Sequence, residues 1–393
     1  MTPAARVQAA IELLDAAIEA ARSKGAPADR LVADYFRQRR YAGSKDRRAV
    51  RELVYRAIRA CGPVPESGRA AMLRLAQDDA LLAPLFDGSQ HGPAPIAEGE
   101  TVAEDGLAPE WLETALAESD IAGEEAAALL GRAPLDLRVN TLKAARDAIA
   151  LPEPGEPLAA PNALRFPSGT SVDQWPAYRE GLVEIQDHGS QLACMAVGAQ
   201  PGETVIDLCA GAGGKTLALA AAMDDRGTLI ASDTDRARLS NLAPRAARAG
   251  ASMIETLLLD PGRELEVLGR FAGKADAVLV DAPCSGTGTW RRNPEARWRL
   301  DPAQLARFAE VQDRLLDLAA RLVRPGGRLV YVTCSLLDVE GADRIARFLS
   351  DHRGWRTDRP ALPLGRERGE GFRLTPFHDD TDGFFIARAA LAC

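Results

Sequence analysis

The chain has 393 residues, 46% of them hydrophobic and 26% charged, which is typical of a folded globular protein with two or three domains. Its formal net charge of −8 argues against a nucleic-acid partner, although the distribution of charge matters more than the sum. The six cysteines are too few for a disulfide framework, and none forms a Cys-x-x-Cys pair, which argues against a zinc site.

The N-terminal sequence MTPAARVQAAIELLDAAIEAA has no basic stretch followed by an apolar core, so it predicts an amphipathic helix and not a signal peptide. No apolar run approaches the ~18 residues of a membrane span. We therefore expect a cytoplasmic protein without membrane contact, whose cysteines are free thiols.

Residues 1–85 predict a helical domain of four or five short helices, because their apolar positions recur at helical spacing. Within this range, residues 37–59 contain nine arginines and lysines against two acidic residues. Such a stripe is an electrostatic footprint for phosphates, or equally a solvated helix face that is rich in arginine. Residues 86–106 are rich in Gly, Pro and acidic residues and predict a linker.

Residues 107–184 predict a small α+β domain, with a helix in APEWLETALAES and a strand in LDLRVNTLK. From residue 185 to residue 393, short apolar runs alternate with helical stretches. The predicted strands include TVIDL, TLIASD, IETLLLD, ADAVLVDAP, GRLVYVTCS and GFFIARAAL. This alternation predicts an α/β fold whose parallel sheet has helices on both faces and binds ligands at the carboxyl ends of its strands.

The first of these strands is followed by DLCAGAGGKT, in which glycines let the backbone approach a ligand closely. Gly214-Lys215-Thr216 matches the end of a P-loop, but Cys209 stands where that motif needs a glycine. The dinucleotide pattern of three spaced glycines fails as well. A looser glycine turn remains, of a kind that several nucleoside binders use.

Acidic residues end the next three strands, namely Asp233, Asp260 and Asp281. Asp233 lies 20 residues beyond Gly213 and fits a ribose hydroxyl acceptor, although an aspartate there can also cap the following helix. A glycine turn followed by carboxylates suits a nucleoside ligand without phosphates, and carboxylates suit a cationic sulfonium. The pattern therefore favours S-adenosylmethionine over ATP or NAD.

Cys284 and Cys334 follow the ends of two strands that should be neighbours in the sheet. A thiolate at such a rim can be a nucleophile, and adding it to carbon 6 of a pyrimidine makes carbon 5 able to attack a methyl sulfonium. A base must then remove the carbon-5 proton, and the thiol must leave. One thiol that attacks and one that assists release would account for both cysteines.

The segments DLCAGAGGKT, DAPCSGTGTWRRNPEARW, VYVTCS and DGFFIA resemble the motifs of the RNA cytosine-5 methyltransferases, the family of the bacterial 16S ribosomal RNA methyltransferase B. The resemblance covers residues 107–390, and SKDRRAVRELVYRAIR more faintly resembles the NusB-like RNA-binding domain of bacterial members. It implies a Rossmann-like class I methyltransferase domain over residues 185–393, preceded by the two smaller domains. RNA is the implied partner, ribosomal RNA more than transfer RNA, and we expect a monomer.

The resemblance also implies a role for individual residues. Cys334 would be the nucleophile on carbon 6, and Cys284 would assist breakdown of the covalent adduct. Lys215 and Asp281 would also touch the base. The residues that would hold S-adenosylmethionine are Cys209, Ala210, Gly211, Ala212, Gly213, Gly214, Lys215, Asp233, Arg238, Asp260 and Asp281. No metal is implied.

Two positions depart from the family pattern. Gly211-Ala212 replaces the usual Ala-Pro, which should loosen the turn without removing a ligand group. Glu340-Gly341 replaces the usual Glu-Asn pair, and the rate would suffer if that asparagine positions the cysteine loop.

Arginines and tryptophans alternate after the Cys284 turn: Trp290, Arg291, Arg292, Arg297, Trp298 and Arg299. This mixture suits phosphate contact and base stacking on unpaired RNA, or alternatively a structural loop that caps the sheet.

Three other functions compete with RNA cytosine methylation. A non-catalytic RNA-binding or ribosome-assembly factor is disfavoured because both cysteines are present. An amino methyltransferase would carry an aromatic residue at the place of Cys284. A DNA cytosine methyltransferase would share the Pro-Cys segment but would lack Cys334. Within the leading function, transfer RNA stays open as an alternative substrate to ribosomal RNA.

Overall fold

A computed structural model describes residues 1–393. Its contacts divide the chain into two compact units, the first formed by residues 1–131 with 289–301 and the second by residues 132–288 with 302–393. None of the helices is both long enough and apolar enough to cross a bilayer. The domain ranges expected from the sequence stay a prediction. They are drawn from changes of composition along the chain, whereas the two units are defined by contacts in space.

The first unit is helical, as the sequence predicts, and has no strand. Its helices are α1 (Pro3–Arg22), α2 (Ala28–Gln38), α3 (Ser44–Ala60), α4 (Gly68–Asp78), α5 (Glu110–Glu118) and α6 (Gly123–Ala127). Helix α1 starts cleanly because the Thr2 hydroxyl accepts the Ala5 N–H at 3.2 Å and Pro3 occupies the first turn. The apolar faces of α1 to α4 form one core.

The segment after the Cys284 turn is built into this helical unit. Arg297 is fully buried, and its Nη2 donates to the carbonyl oxygens of Ile58 and Cys61 at 2.6 and 2.7 Å. Trp298 is 4% exposed and donates through Nε1 to the Gly62 carbonyl at 3.1 Å. The hypothesis that Arg297 and Trp298 contact RNA is therefore wrong, since burial among backbone carbonyls leaves neither side chain available.

The same holds for most of the neighbouring residues. Trp290 is fully buried and Arg291 is 5% exposed, while Arg299 donates to the carbonyls of Gly25 and Ala26 at 2.8 and 2.7 Å. These side chains therefore have a structural role within the helical unit, to which the segment belongs.

The second unit begins with a small antiparallel sheet of order β2-β3-β1-β4. Its strands are β1 (Leu135–Val139), β2 (Glu156–Pro157), β3 (Ala163–Phe166) and β4 (Val183–Ile185). One face packs its own apolar cluster around Trp175, whose ring meets that of Phe166 edge to face. Asn140, just after β1, donates to the carbonyls of Gly181 and Ala249 and so ties this sheet to the larger one.

The large sheet has nine strands, ordered β11-β12-β13-β9-β8-β5-β6-β7, with β10 paired to β13. They are β5 (Thr204–Asp207), β6 (Thr228–Asp233), β7 (Ile254–Leu258), β8 (Ala275–Asp281), β9 (Val323–Thr333), β10 (Trp355–Thr357), β11 (Arg366–Arg368), β12 (Gly371–Leu374) and β13 (Phe384–Leu391). Strands β7, β6, β5, β8 and β9 run parallel, whereas β13 runs antiparallel to β9. This is the Rossmann-like sheet that the sequence predicts.

Helices cover both faces of this sheet. The helices of the second unit are α7 (Pro176–Arg179), α8 (His188–Val197), α9 (Gly214–Ala222), α10 (Arg236–Leu239), α11 (Leu242–Ala249), α12 (Glu264–Leu268), α13 (Pro302–Leu322), α14 (Ala342–Asp351) and α15 (Pro376–Asp379). Of these, α7 packs with the small sheet. The single helix expected over RARLSNLAPRAARAG is interrupted between α10 and α11. Pro244 lies in the first turn of α11, where its missing N–H is not needed, so the helix restarts there.

The strand order places the predicted site residues along one edge. Strand β5 lies between β6 and β8, so the chain crosses to opposite sides of β5 and leaves a crevice beyond its carboxyl end. Asp207, Asp233 and Asp281 end β5, β6 and β8, and Cys334 directly follows β9.

Candidate active site

The two cysteines of the predicted site are direct neighbours. The Sγ atoms of Cys284 and Cys334 are 3.4 Å apart, and both residues are partly exposed free thiols. They meet because β8 and β9 are adjacent and parallel, so both loops leave the sheet at the same edge. The spacing of 50 residues in the sequence covers the crossover from β8 to β9 together with the whole of β9.

Hydrogen bonds join the two cysteine loops. The hydroxyl of Ser285 lies 3.1 Å from that of Ser335, and the hydroxyl of Thr287 lies 3.2 Å from that of Ser335. The Gly288 N–H donates to the Cys334 carbonyl at 2.9 Å. Each thiol therefore sits on a loop whose position depends on the other loop.

Glu340 anchors the Cys284 loop through hydrogen bonds to Ser285. This residue is fully buried, and its Oε1 accepts the Ser285 N–H at 2.9 Å and the Gln312 side-chain amide at 3.1 Å. Its Oε2 accepts the Ser285 hydroxyl, and its backbone carbonyl accepts the Tyr331 hydroxyl at 2.6 Å. In the sequence, Glu340 stands out only because Gly341 beside it departs from the family pattern. That pattern does not predict the anchoring role of Glu340.

The surroundings keep Cys284 protonated. The hydrogen bond with Cys334 raises the pKa of the Cys284 thiol well above its usual value, and burial and the nearby Glu340 carboxylate act in the same direction. A protonated Cys284 can donate its S–H to Cys334.

Lys215 and Asp281 form an ion pair beside the thiols. The Lys215 Nζ lies 2.7 Å from Asp281 Oδ2 and 5.6 Å from the centre of the Phe384 ring. Burial by itself lowers the pKa of Lys215, but the Asp281 carboxylate and the sulfurs of Cys194 and Cys334 outweigh it and raise the pKa. Lys215 is therefore a fixed cation at the carboxyl edge of the sheet.

The glycine turn between β5 and α9 has the shape of a ligand cradle. Gly211 and Gly213 adopt positive φ angles of 54° and 85°, and the side chain of Arg238 packs directly on Gly211. A Cβ atom on Gly211 would lie 2.5 Å from Arg238 Nη2, so this contact requires glycine. Cys209, Ala210, Ala212 and Gly214 complete the turn, and Gly214 starts α9 with open space around it.

Asp233 supports this turn from the end of β6. Its Oδ2 accepts the Gly211 N–H at 2.7 Å, and its Oδ1 accepts the Asp235 N–H at 2.7 Å. The cap of α10 is Asp235, whose carboxylate accepts the Arg238 N–H at 3.0 Å. The alternative that Asp233 caps this helix is therefore wrong, because the cap lies two residues later.

Asp207 is a buried carboxyl at the start of the segment DLCAGAGGKT, and the sequence predicts no role for it. Thr216 donates to its Oδ2 at 2.7 Å, and Oδ1 has no partner in the chain. Burial raises the pKa of Asp207 to about 7. A cationic group of a bound ligand would supply the missing partner, so the residues present fit a sulfonium and ammonium ligand such as S-adenosylmethionine.

Asp260 differs from the other predicted carboxylates. It lies two residues beyond the end of β7 and is exposed, and only its backbone carbonyl has a partner, the Arg263 N–H at 3.0 Å. The structure therefore brings together Cys284, Cys334, Lys215 and Asp281, and leaves Asp260 at the outer end of the parallel strands.

Comparisons with known proteins agree with this geometry. A family model described as 16S rRNA methyltransferase RsmB/F matches residues 194–390. The probable ribosomal RNA small subunit methyltransferase B of Synechocystis sp. is 38% identical over 268 residues, which cover 64% of this chain and 59% of that protein. The ribosomal RNA small subunit methyltransferase B of Enterobacter sp. is 34% identical over 293 residues, which cover 72% and 66%.

Solved structures extend the similarity over the whole chain. The crystal structure of PH0851 has a TM-score of 0.76 and 26% sequence identity and covers 99% of each chain. A methyltransferase homolog protein from Pyrococcus horikoshii has a TM-score of 0.58 and 25% identity, covering 72% of this chain and 99% of its own. The aligned region spans about three fifths of the Synechocystis relative. The chain belongs to the 16S rRNA methyltransferase RsmB/F family.

Proposed function

We propose that this protein transfers a methyl group from S-adenosylmethionine to carbon 5 of a cytosine in RNA, through a covalent bond between Cys334 and carbon 6. The observation that carries the proposal is the 3.4 Å contact between the thiols of Cys284 and Cys334. Both thiols follow adjacent parallel strands, β8 and β9, at the carboxyl edge of the sheet. The names of the relatives, which refer to the small ribosomal subunit, support ribosomal RNA over transfer RNA.

The two thiols have different roles in the proposed reaction. The Cys334 sulfur, stabilised as thiolate by the S–H of Cys284, forms a bond to carbon 6, and electron density moves to carbon 5. After carbon 5 has gained the methyl group, its proton leaves to a base. The bond between Cys334 and carbon 6 then breaks, and Cys284 assists that release. Glu340 acts through Ser285 as a positioning residue.

The cofactor would rest on the glycine turn. The candidate residues to hold the cofactor are 209–215, Asp233, Arg238 and Asp207. The bound cofactor would supply the methyl group. Asp207 would face its cationic end, since this carboxyl has a buried oxygen without a partner. Asp260 is the weakest candidate because it is exposed.

Lys215 and Asp281 would orient the cytosine. Asp281 keeps lone pairs for the exocyclic amine of the base, and Lys215 donates to its carbonyl oxygen. The ion pair fixes both groups before the base arrives. An ordered pair of this kind lowers the entropy cost of placing carbon 6 against a thiol.

The helical unit would contribute RNA contacts through part of the basic stripe. Arg39 and Arg56 pair with Glu12 and Asp79 and are less available. The exposed cations near the turn between α2 and α3 are Arg40, Lys45 and Arg48, and Tyr41 beside them is 74% exposed. Cations around an exposed aromatic ring suit phosphates and an unstacked base.

We infer a monomer that works in the cytoplasm.

The test is to incubate Cys284→Ala and Cys334→Ala separately with total cellular RNA and S-adenosylmethionine and to run denaturing gels. We expect Cys284→Ala to trap a covalent RNA adduct and Cys334→Ala to trap none, with Cys393→Ala, at an exposed free cysteine, as a control that behaves as wild type. Sequencing the trapped RNA would identify the substrate and separate ribosomal from transfer RNA. If no variant traps RNA and the wild type transfers no methyl group, the protein is a non-catalytic binding factor.

A further inference from the structure

Arg138 on β1 is a buried cation without a counter-charge. It is 5% exposed, and its Nε donates to Gln186 Oε1 at 2.7 Å. The terminal nitrogens of its guanidinium make no hydrogen bond or ion pair within the chain. Burial lowers the pKa of Arg138, as expected for a charge removed from water without a partner. Such a charge is costly to bury unless something else pairs with it.

The nearest acidic side chain is already engaged. Glu184 lies directly opposite Arg138 in the pairing of β1 with β4. Its carboxylate is bound by Arg245 at 2.9 Å and by Arg248, and it forms no ion pair with Arg138. Two guanidinium groups therefore share this carboxylate, and the positive charge of Arg138 is left without an ion pair.

Arg138 lines a cavity of about 110 Å³. Thr141, Asn162 and Gln191 contribute polar groups to its wall, alanines of α9 form its floor, and no acidic residue takes part. The side-chain amide of Asn162 has no partner in the chain. The cavity reaches solvent beside the exposed residue Met195. A cationic wall with neutral donors and an open mouth is the chemistry of an oxyanion site.

We propose that this cavity binds a phosphate group on the guanidinium of Arg138, with the Asn162 amide as a neutral donor. The Thr141 hydroxyl donates to the Ala221 carbonyl at 3.4 Å and would turn to the anion. A planar guanidinium matches two phosphate oxygens at once, and the volume is well above the roughly 15 Å³ that one water needs. The anion restores the missing counter-charge, which is the physical reason for binding.

The backbone of the RNA substrate is the source of phosphate that the fold favours, and this assignment rests on the proposed function. Lys215 and Ala218 are three residues apart on α9, so the catalytic cation and the cavity floor are about 5 Å apart along the helix axis. A phosphate at Arg138 would then belong to a nucleotide close to the target cytosine.

The test compares the full-length wild type with Arg138→Met, Ala222→Phe and a control, Ala306→Phe. Ala222 lines the cavity and is exposed, so phenylalanine there blocks the cavity and keeps Arg138; Ala306 is exposed on α13 away from it. Thermal unfolding is followed as inorganic phosphate is added at constant ionic strength. RNA affinity is then measured against salt with a 16S ribosomal RNA transcript.

We expect phosphate to raise the Tm of the wild type and of Ala306→Phe, and to leave the Tm of the other two variants unchanged. With RNA, Arg138→Met should reduce the slope of log affinity against log salt by about 0.7–0.9, the value of one phosphate contact. A phosphate effect without a change of slope would assign the site to free phosphate.

The proposal is overturned if phosphate shifts the Tm of all four proteins equally, or of none, and the salt slope of Arg138→Met equals that of the wild type. Failure of Cys284→Ala to trap RNA would instead count against the methyl-transfer proposal, and the phosphate titration would still stand by itself.

Discussion

Glu340 is the clearest case of a single residue that organises the site. All the side-chain partners of this fully buried carboxylate belong to the Cys284 loop or to α13, which packs under it. Removing the carboxylate leaves the Ser285 N–H without its acceptor, while the Ser285 hydroxyl keeps only Ser335 and the Gln312 amide keeps only the Pro283 carbonyl. The loss would reach Cys284, because Ser285 is its immediate neighbour.

We expect Glu340→Ala to lower the free energy of unfolding by about 2–4 kcal/mol, since three buried hydrogen bonds to a carboxylate are lost and the Ser285 N–H keeps no acceptor. Methyl transfer should fall more than tenfold, and Glu340→Gln should recover part of both losses. Denaturant unfolding and single-turnover methylation measure the two effects, with Glu310→Ala on the exposed face of α13 as control. An alanine variant as stable and active as the wild type would contradict the anchoring role.

Asp207 gives a pH dependence with a defined sign. Its pKa is raised from 3.8 in the unfolded chain to about 7 in the fold, mainly by burial. Between these values the folded state holds a proton that the unfolded state has lost, so stability falls as pH rises and levels off above 7. Below the lower value both states are protonated and the effect vanishes.

We expect Asp207→Asn to remove this loss, because asparagine still accepts the Thr216 hydroxyl and never ionises. The stability of the variant minus that of the wild type should grow from pH 4 to pH 7 by as much as about 4 kcal/mol, at about 1.4 kcal/mol for each pKa unit. Urea unfolding at several pH values measures the difference. A difference that stays flat over this range would mean that Asp207 ionises normally.

At the scale of elements, the contact between β13 and the start of α14 explains a departure from the family pattern. Gly341 precedes α14, and a Cβ atom there would lie 2.8 Å from Cγ of Phe385 on β13. Phe385 is 2% exposed and cannot move aside without disturbing the core. The glycine is therefore required by the packing of β13, which pairs with the strand that carries Cys334.

We expect Gly341→Asn, which restores the family residue, to lower the free energy of unfolding by about 1–3 kcal/mol through overpacking. Combining it with Phe385→Leu should cost less than the sum of the two single changes, because the residues touch. Thermal unfolding of the four proteins of this cycle checks the coupling. Additive effects would show that Phe385 is not what excludes a side chain at position 341.

At the scale of the whole molecule, the chain leaves the second unit after Gly288 and returns at Pro302. The intervening segment is a structural part of the helical unit, fixed by Arg297, Trp298 and Arg299. Thr289, where this segment begins, is only five residues beyond Cys284 in the sequence. We therefore expect a loss of stability in the helical unit to reach the loop that carries Cys284.

We expect Trp298→Ala to destabilise the protein by about 3–5 kcal/mol, as for other large buried aromatic side chains. It should also slow methyl transfer at temperatures well below the unfolding transition. Phe377→Ala is the matched control, because Phe377 is 48% exposed and its loss should cost less than about 0.5 kcal/mol. Normal methylation by a Trp298→Ala protein of clearly reduced stability would separate the helical unit from the catalytic loop.

The sequence by itself determined the class of the fold and the main groups of the site. Alternating apolar runs and helical stretches depend on neighbours along the chain, so β5 to β9 could be predicted from local patterns. Cys284, Cys334, Asp233 and Asp281 could be placed at one edge because the carboxyl ends of parallel strands coincide. The family resemblance then supplied roles that geometry of this kind cannot assign.

Only the tertiary structure decided which polar residues are available to a ligand. Glu340 reaches Ser285 across 55 residues of sequence, and the partners of Arg297 lie more than 230 residues away. Local pattern carries no information about such contacts, so arginines that suit RNA in the sequence proved to be buried anchors. Arg138 shows the opposite case, in which a residue of an ordinary strand becomes a cation without a partner because its neighbour Glu184 is bound by two other arginines.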